Sequence, residues 1–200
     1  FWIAAVIILM AVMISAFPQL FTSVKPDYCE LSHSLGKPEA GHPFGYTFQG
    51  CDIYARVIYG ARASVSVGVL TTICVVLIGA TLGSIAGYLG GWIDAVISRV
   101  TDIFFAVPLL LAAIVFMQMF KQYRNIWMVI LVLSMFGWTQ IARITRGSVM
   151  CAKNEEFVTA AKATGASRWR FLLSHIIPNS IATIIVYTKV DLGSFIVAAD

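Results

Sequence analysis

The stretch N-E-E-F-V-T-A-A-K-A-T-G-A-S-R-W-R-F-L-L-S-H-I-I-P-N, residues 154–179, stands between two long apolar runs. Asn154 suits an N-cap, and Glu155 and Glu156 fall in the first turn, where negative charge complements the helix dipole. Phe157, Ala160, Ala161 and Thr164 recur at i, i+3, i+4 and i+7, which makes one face of small residues around a single large anchor. Gly165 ends that helix, as a glycine in the left-handed region commonly does. Ser167 then caps a second helix that carries Arg168, Trp169 and Arg170 towards Pro178. The spacing predicts a helix–turn–helix protruding between two membrane spans, with a face fit for close packing. The plainer alternative is an amphipathic helix pair lying in the membrane interface.

The composition supports the membrane setting. The chain is 59% hydrophobic and 12% charged, with a mean hydropathy of +0.84, against about 25% charged residues in a typical soluble domain. A net charge of +4 without a basic stripe gives no footing for nucleic acid. Residues 1–21 are apolar enough for a first span, which needs roughly 20 helical residues, and have neither the basic start nor the small-residue cleavage site of a signal peptide. The start at Phe1 and the end at Asp200, just after an apolar run, read as part of a longer chain. Residues 22–56 hold Pro26, Pro38 and Pro43 with four glycines and read as an ordered, irregular loop. Residues 57–200 form the core domain. The second span begins at residue 53, at the end of that loop, and runs to about 88, and a third runs from the turn at 90–94 to about 119 across Pro108. A fourth covers 126–144, a polar loop 147–174, and a fifth 178–199.

Several residues carry more than one reading. Gly79, Gly83, Gly87 and Gly91 recur every four positions, as do Gly60, Ser64, Gly68 and Thr72, and such rows allow helices to approach closely in lipid. They serve either a sliding contact between helices or plain static packing. Asp94, Ser98 and Asp102 share a helix face, and Arg99 lies three residues before Asp102. The structural expectation is an Arg99–Asp102 pair at the rim; the functional one makes Asp94 and Asp102 part of a gate or a subunit contact. Lys189 and Asp191 interrupt the fifth span and suggest a helix that faces a wet cavity or a protein interface. Cys29 and Cys51 are either a disulfide, if the loop meets an oxidising compartment, or two unpaired thiols. The histidines and thiols fit no standard zinc spacing, so no metal site is expected.

The order A-A-x-x-x-G followed by H-I-I-P-N resembles the "EAA" loop of permease subunits in binding-protein-dependent ABC importers, and the H-x-x-P-N ending resembles the dipeptide/oligopeptide branch. The segment H-P-F-G-Y-T-F-Q-G-C-D at 42–52 is similar to the branch's H-P-x-G-T-D-x-x-G-R-D, with Cys51 standing where the family has arginine. Y-G-A-R near residue 60, and A-G-Y-L-G-G-W-I-D followed by R-V-T-D, extend the likeness over 42–179. Thr159 departs from the pattern, standing where the family has the glutamate that names the motif. The resemblance implies an all-α polytopic bundle, with five spans here and a sixth beyond Asp200. It implies coupling to ATPases through Glu155, Glu156, Phe157, Ala160, Ala161, Gly165, Ala166, Arg168 and Trp169. It also implies a second homologous permease subunit, two cytoplasmic ATPases that carry the ATP and Mg, and an extracytoplasmic peptide-binding protein.

The basic residues Arg143, Arg146, Lys153, Lys162, Arg168 and Arg170 cluster around the polar loop, which puts it in the cytoplasm and 22–56 outside. Lys121 and Arg124 then fall on the outer side, against that trend. The chain has no G-x-x-x-x-G-K-S/T, no H-E-x-x-H and no G-x-S-x-G, so it carries no catalytic constellation of its own. The resulting expectation is a cell-membrane peptide permease subunit that binds no nucleotide itself. The rivals are an intramembrane enzyme and a nucleotide-independent channel or scaffold.

Overall fold

The computed structural model describes residues 2–123, 125–153, 155 and 177–198. The chain divides into two compact units, Phe1–Ser66 and Val67–Asp200. Among the described residues it is helical with no strand, only isolated bridges. Its helices are α1 Trp2–Ala16, α2 Ile53–Leu89, α3 Gly91–Phe105, α4 Leu109–Met119, α5 Ile126–Lys153 and α6 Ile177–Ala198.

In the first unit α1 is 15 residues long and stops short of the expected end at residue 21. Pro18 is the cause: it drives Phe17 out of the helical region, to φ −129 and ψ 62, and begins a short 3-10 turn at Pro18–Leu20. Residues 22–52 form a lobe closed by the Cys29–Cys51 disulfide. Cys51 is 1% exposed, and the two cysteines face each other across an antiparallel bridge. Gly50 has φ +73, and a Cβ there would strike the Glu30 carbonyl, so only glycine fits this crossing. The lobe then launches α2, because Asp52 accepts a hydrogen bond from the Tyr54 N–H at 3.0 Å in the manner of an N-cap.

In the second unit the centre is a seam between α2 and α5. Gly79, Gly83 and Gly87 face the carbonyls of Trp138, Ala142 and Arg146, so a row of period four meets a carbonyl row of the same period. A Cβ on any of the three would lie under 3.0 Å from its carbonyl. Gly91 does not join them; it opens α3 with φ +58. In the earlier row, Gly68 packs on Ile196 of α6, while Gly60 has open space. Around the seam Val75, Ile141 and Phe195 form one buried cluster and Val67, Ile130 and Leu133 another, with Leu109 against both.

Two expectations need correction here. The third span is not one continuous helix: α3 and α4 meet at a 74° bend at Pro108. Pro108 supplies no N–H and disfavours a helical residue before it, so the ladder ends at Ala106 and restarts with the Pro108 carbonyl accepting from Ala112 at 3.0 Å. The fourth helix does not end near residue 144 but continues to Lys153, so residues 147–153 belong to α5 and not to the loop that follows. By length and composition Ile53–Leu89, Ile126–Lys153 and Ile181–Ala198 can each cross a bilayer, and the bent pair adds a fourth crossing if counted as one. The fold is that of an all-α membrane protein.

Candidate functional site

The charged groups of the second unit gather where α3 lies along the C-terminal half of α5. Arg146 forks onto Asp94: Nε donates to Oδ1, and Nη2 donates to Oδ2 at 2.6 Å. Ser98, one turn on, donates to the same Oδ1 at 3.3 Å. Arg143 donates to Asp102 Oδ1 at 2.7 Å, and its guanidinium lies 4.0 Å from the centre of the Phe105 ring. Lys153 reaches the Tyr88 carbonyl at 2.7 Å. The spacing explains the set: Asp94 and Asp102 are two turns apart on one face of α3, while Arg143 and Arg146 share one face of α5. The Asp94 side chain is 17% exposed and that of Asp102 53%, so the first pair is the stronger tie, since exposed ion pairs contribute little. A cleft of about 300 Å³ opens between these residues, floored by Gly83 and Ala86 of α2.

A second cavity of about 240 Å³ sits at the α3–α4 bend. Phe104, Phe136 and Phe195 wall it, Gln140 and Ser194 reach it, and Asp191 of α6 lines it. Asp191 is 9% exposed, and its Oδ2 has no hydrogen-bond partner among the described residues.

The family described as binding-protein-dependent transport system inner membrane component matches residues 79–200. The chain belongs to this family. Among its relatives, the dipeptide transport system permease protein DppC of Alkalihalophilus pseudofirmus is 38% identical over 98% of this chain and 64% of that protein. The oligopeptide transport system permease protein OppC of Bacillus subtilis is 34% identical over 92% of this chain and 60% of its own length. The glutathione transport system permease protein GsiD of Pectobacterium atrosepticum is 33% identical over 86% and 56%. The chain thus spans about half to two-thirds of the length of the curated relatives it matches.

The expected site residues fall into four groups. Glu156, Phe157, Ala160, Ala161, Gly165, Ala166, Arg168 and Trp169 lie outside the described residues. Glu155 is described and exposed, its N–H donating to the Ala152 carbonyl at 3.3 Å. Asp94 and Asp102 come together at one charged rim, but the expected Arg99–Asp102 pair does not form; the partners are Arg146 and Arg143 on another helix. A carboxylate on one helix reaches a neighbouring helix here because the α2–α5 seam brings α5 in close. Lys189 and Asp191 do not form one neighbourhood: two residues apart on a helix they diverge, Lys189 exposed and Asp191 buried. Arg143, Arg146 and Lys153 are the partners that sequence reasoning missed. The sequence signal for Arg143 and Arg146 was only that they share one face of α5, as Asp94 and Asp102 share one face of α3; Lys153, which binds the Tyr88 carbonyl, had none.

Proposed function

We propose that this chain is the membrane subunit of an importer that moves dipeptides or oligopeptides across the cell membrane, driven by ATP hydrolysis on partner subunits. The observation that carries the reading is the family match over 79–200, in which the relatives are permease proteins named for peptide transport. The clamp adds physical support. α5 is tied to α3 by Arg143 and Arg146 and to the end of α2 by Lys153, immediately before the segment 154–170. A force applied to that segment therefore acts on a helix joined to two others, which suits a rigid-body rocking mechanism.

In this reading residues 154–170 seat on one of two cytoplasmic ATPases, which hold ATP and Mg, and Glu155 with the small face of Ala160 and Ala161 makes the contact. A second, homologous permease subunit completes the pathway, and a peptide-binding protein delivers substrate from outside. The disulfide lobe faces that oxidising side. The test is ATP hydrolysis by the co-expressed complex in liposomes, with and without binding protein and peptide, for wild type and Ala161→Asp. Peptide-stimulated hydrolysis that Ala161→Asp abolishes is the expected result. A complex that assembles but hydrolyses alike in both forms removes the segment from coupling. If no ATPase associates, the importer reading fails.

A further inference from the structure

In the second unit, among the described residues, Asp94 and Asp102 each hold an arginine, and Asp191 holds none. An ionised carboxylate without a partner is costly at membrane depth, and a cation, a proton or hydrogen-bond donors must relieve it. The surroundings favour a cation. The cavity beside Asp191 has room for an organic group, and the rings of Phe104, Phe136 and Phe195 wall it; aromatic faces attract cations most strongly where water is excluded. Ser194 donates its own proton to the Val190 carbonyl at 3.2 Å, so its oxygen is left as an acceptor, and Gln140 brings a second acceptor. Arg143, which stacks on Phe105 at the cavity's edge, is committed to Asp102. A metal ion would want several ligating side chains, and no group of three exists among the described residues.

We propose that this cavity is a binding site for a primary ammonium group. Resting on the importer reading above, we assign that group to the free amino terminus of a peptide in transit. Asp191 supplies the counter-charge, the oxygens of Ser194 and Gln140 take the remaining N–H donors, and the phenyl rings cover the Cα and side chain of the first residue.

Two arms test this on the assembled importer in liposomes. The first treats the wild type at slightly acidic pH with a hydrophobic carbodiimide, which modifies protonated carboxyls in apolar surroundings, and reads the mass of the Asp191 peptide. Butylammonium should protect Asp191 while butanol should not. Equal labelling with both, or no labelling without ammonium, overturns the site, because the carboxylate then holds either no ammonium or a cation of the protein itself. The second arm compares uptake of a free-amino dipeptide with its N-acetyl analogue. Asp191→Asn should raise KM about tenfold for the free-amino peptide, the size of one charge-assisted hydrogen bond, and leave the acetylated one unchanged. Equal changes overturn the assignment to the peptide amino terminus. If the wild type takes up neither peptide, the importer reading fails, and the carbodiimide arm still decides the ammonium site.

Discussion

The lobe at 22–52 is held by one covalent link, a set of tight backbone turns and a few polar contacts, with Tyr28, Leu31, Leu35, Phe44 and Phe48 all exposed. The α2–α5 seam has no covalent link; three glycines meet three carbonyls, and arginines tie the end of α5 to α3. The difference is one of solvent. A short irregular segment with its apolar side chains exposed cannot bury enough surface to offset its ordering entropy, so a cross-link that restricts the unfolded chain is effective. Between helices in lipid the hydrophobic drive is absent, and close backbone approach supplies the contact instead. One region should therefore respond to redox state and the other to side-chain volume.

Gly83→Leu should have the largest effect, since even a Cβ collides with the Ala142 carbonyl. Overpacking of this kind costs about 3 kcal/mol or more when backbone must shift, and the variant should lose its monodisperse elution in detergent. Gly60→Leu, in open space, should elute as wild type; equal behaviour of the two would break the seam argument. Cys51→Ser removes a link between residues 22 apart in sequence, worth about 3 kcal/mol on chain entropy. Limited proteolysis should then cut within 22–52 while far-ultraviolet helicity stays the same. A parallel loss of helicity would mean that the lobe is not the separately held region described here.

Asp94→Asn should destabilise the protein more than Asp102→Asn, by about 1–2 kcal/mol against less than about 1, read as the larger drop in melting temperature, because the Asp94–Arg146 fork is the less exposed. Reversal of that order would move the weight of the clamp to Arg143. The smallest effect belongs to the lobe. Tyr46 donates to Glu39 at 2.6 Å, and that hydrogen bond, with burial and the Glu39 charge behind it, pushes the phenol up to about 12. A raised phenol pKa stabilises the fold fully below its ordinary value of 10.0, and the contribution disappears as pH climbs through about 12. Glu39→Gln should bring the Tyr46 titration back towards 10.0, read as the ultraviolet difference from Tyr46→Phe.

Much of the architecture was legible because it depends on local chemistry. Apolar runs of sufficient length announced α2, α5 and α6, and glycines every four residues announced a close helix contact. The bend at Pro108 was legible in principle, since proline removes a ladder donor, but reading one long apolar run as one span hid it. The charged rim was only half visible. Helical periodicity put Asp94, Ser98 and Asp102 on one face, yet the same local rule offered Arg99 as partner and gave no view of residues 41 and 52 positions away.

The sequence by itself determined the membrane class and the family, because these follow from composition and ordered motifs, while the pairing of Cys29 with Cys51 and the glycines that meet carbonyls were settled only by the fold. Tertiary structure alone decided the pairing of Arg146 with Asp94 and of Arg143 with Asp102, and set Asp191 beside a cavity with no ionic partner among the described residues. The physical reason is reach: a side chain finds its partner within a few ångströms in space. Which helix occupies that space is set by the glycine seam that lets α5 come close to α2.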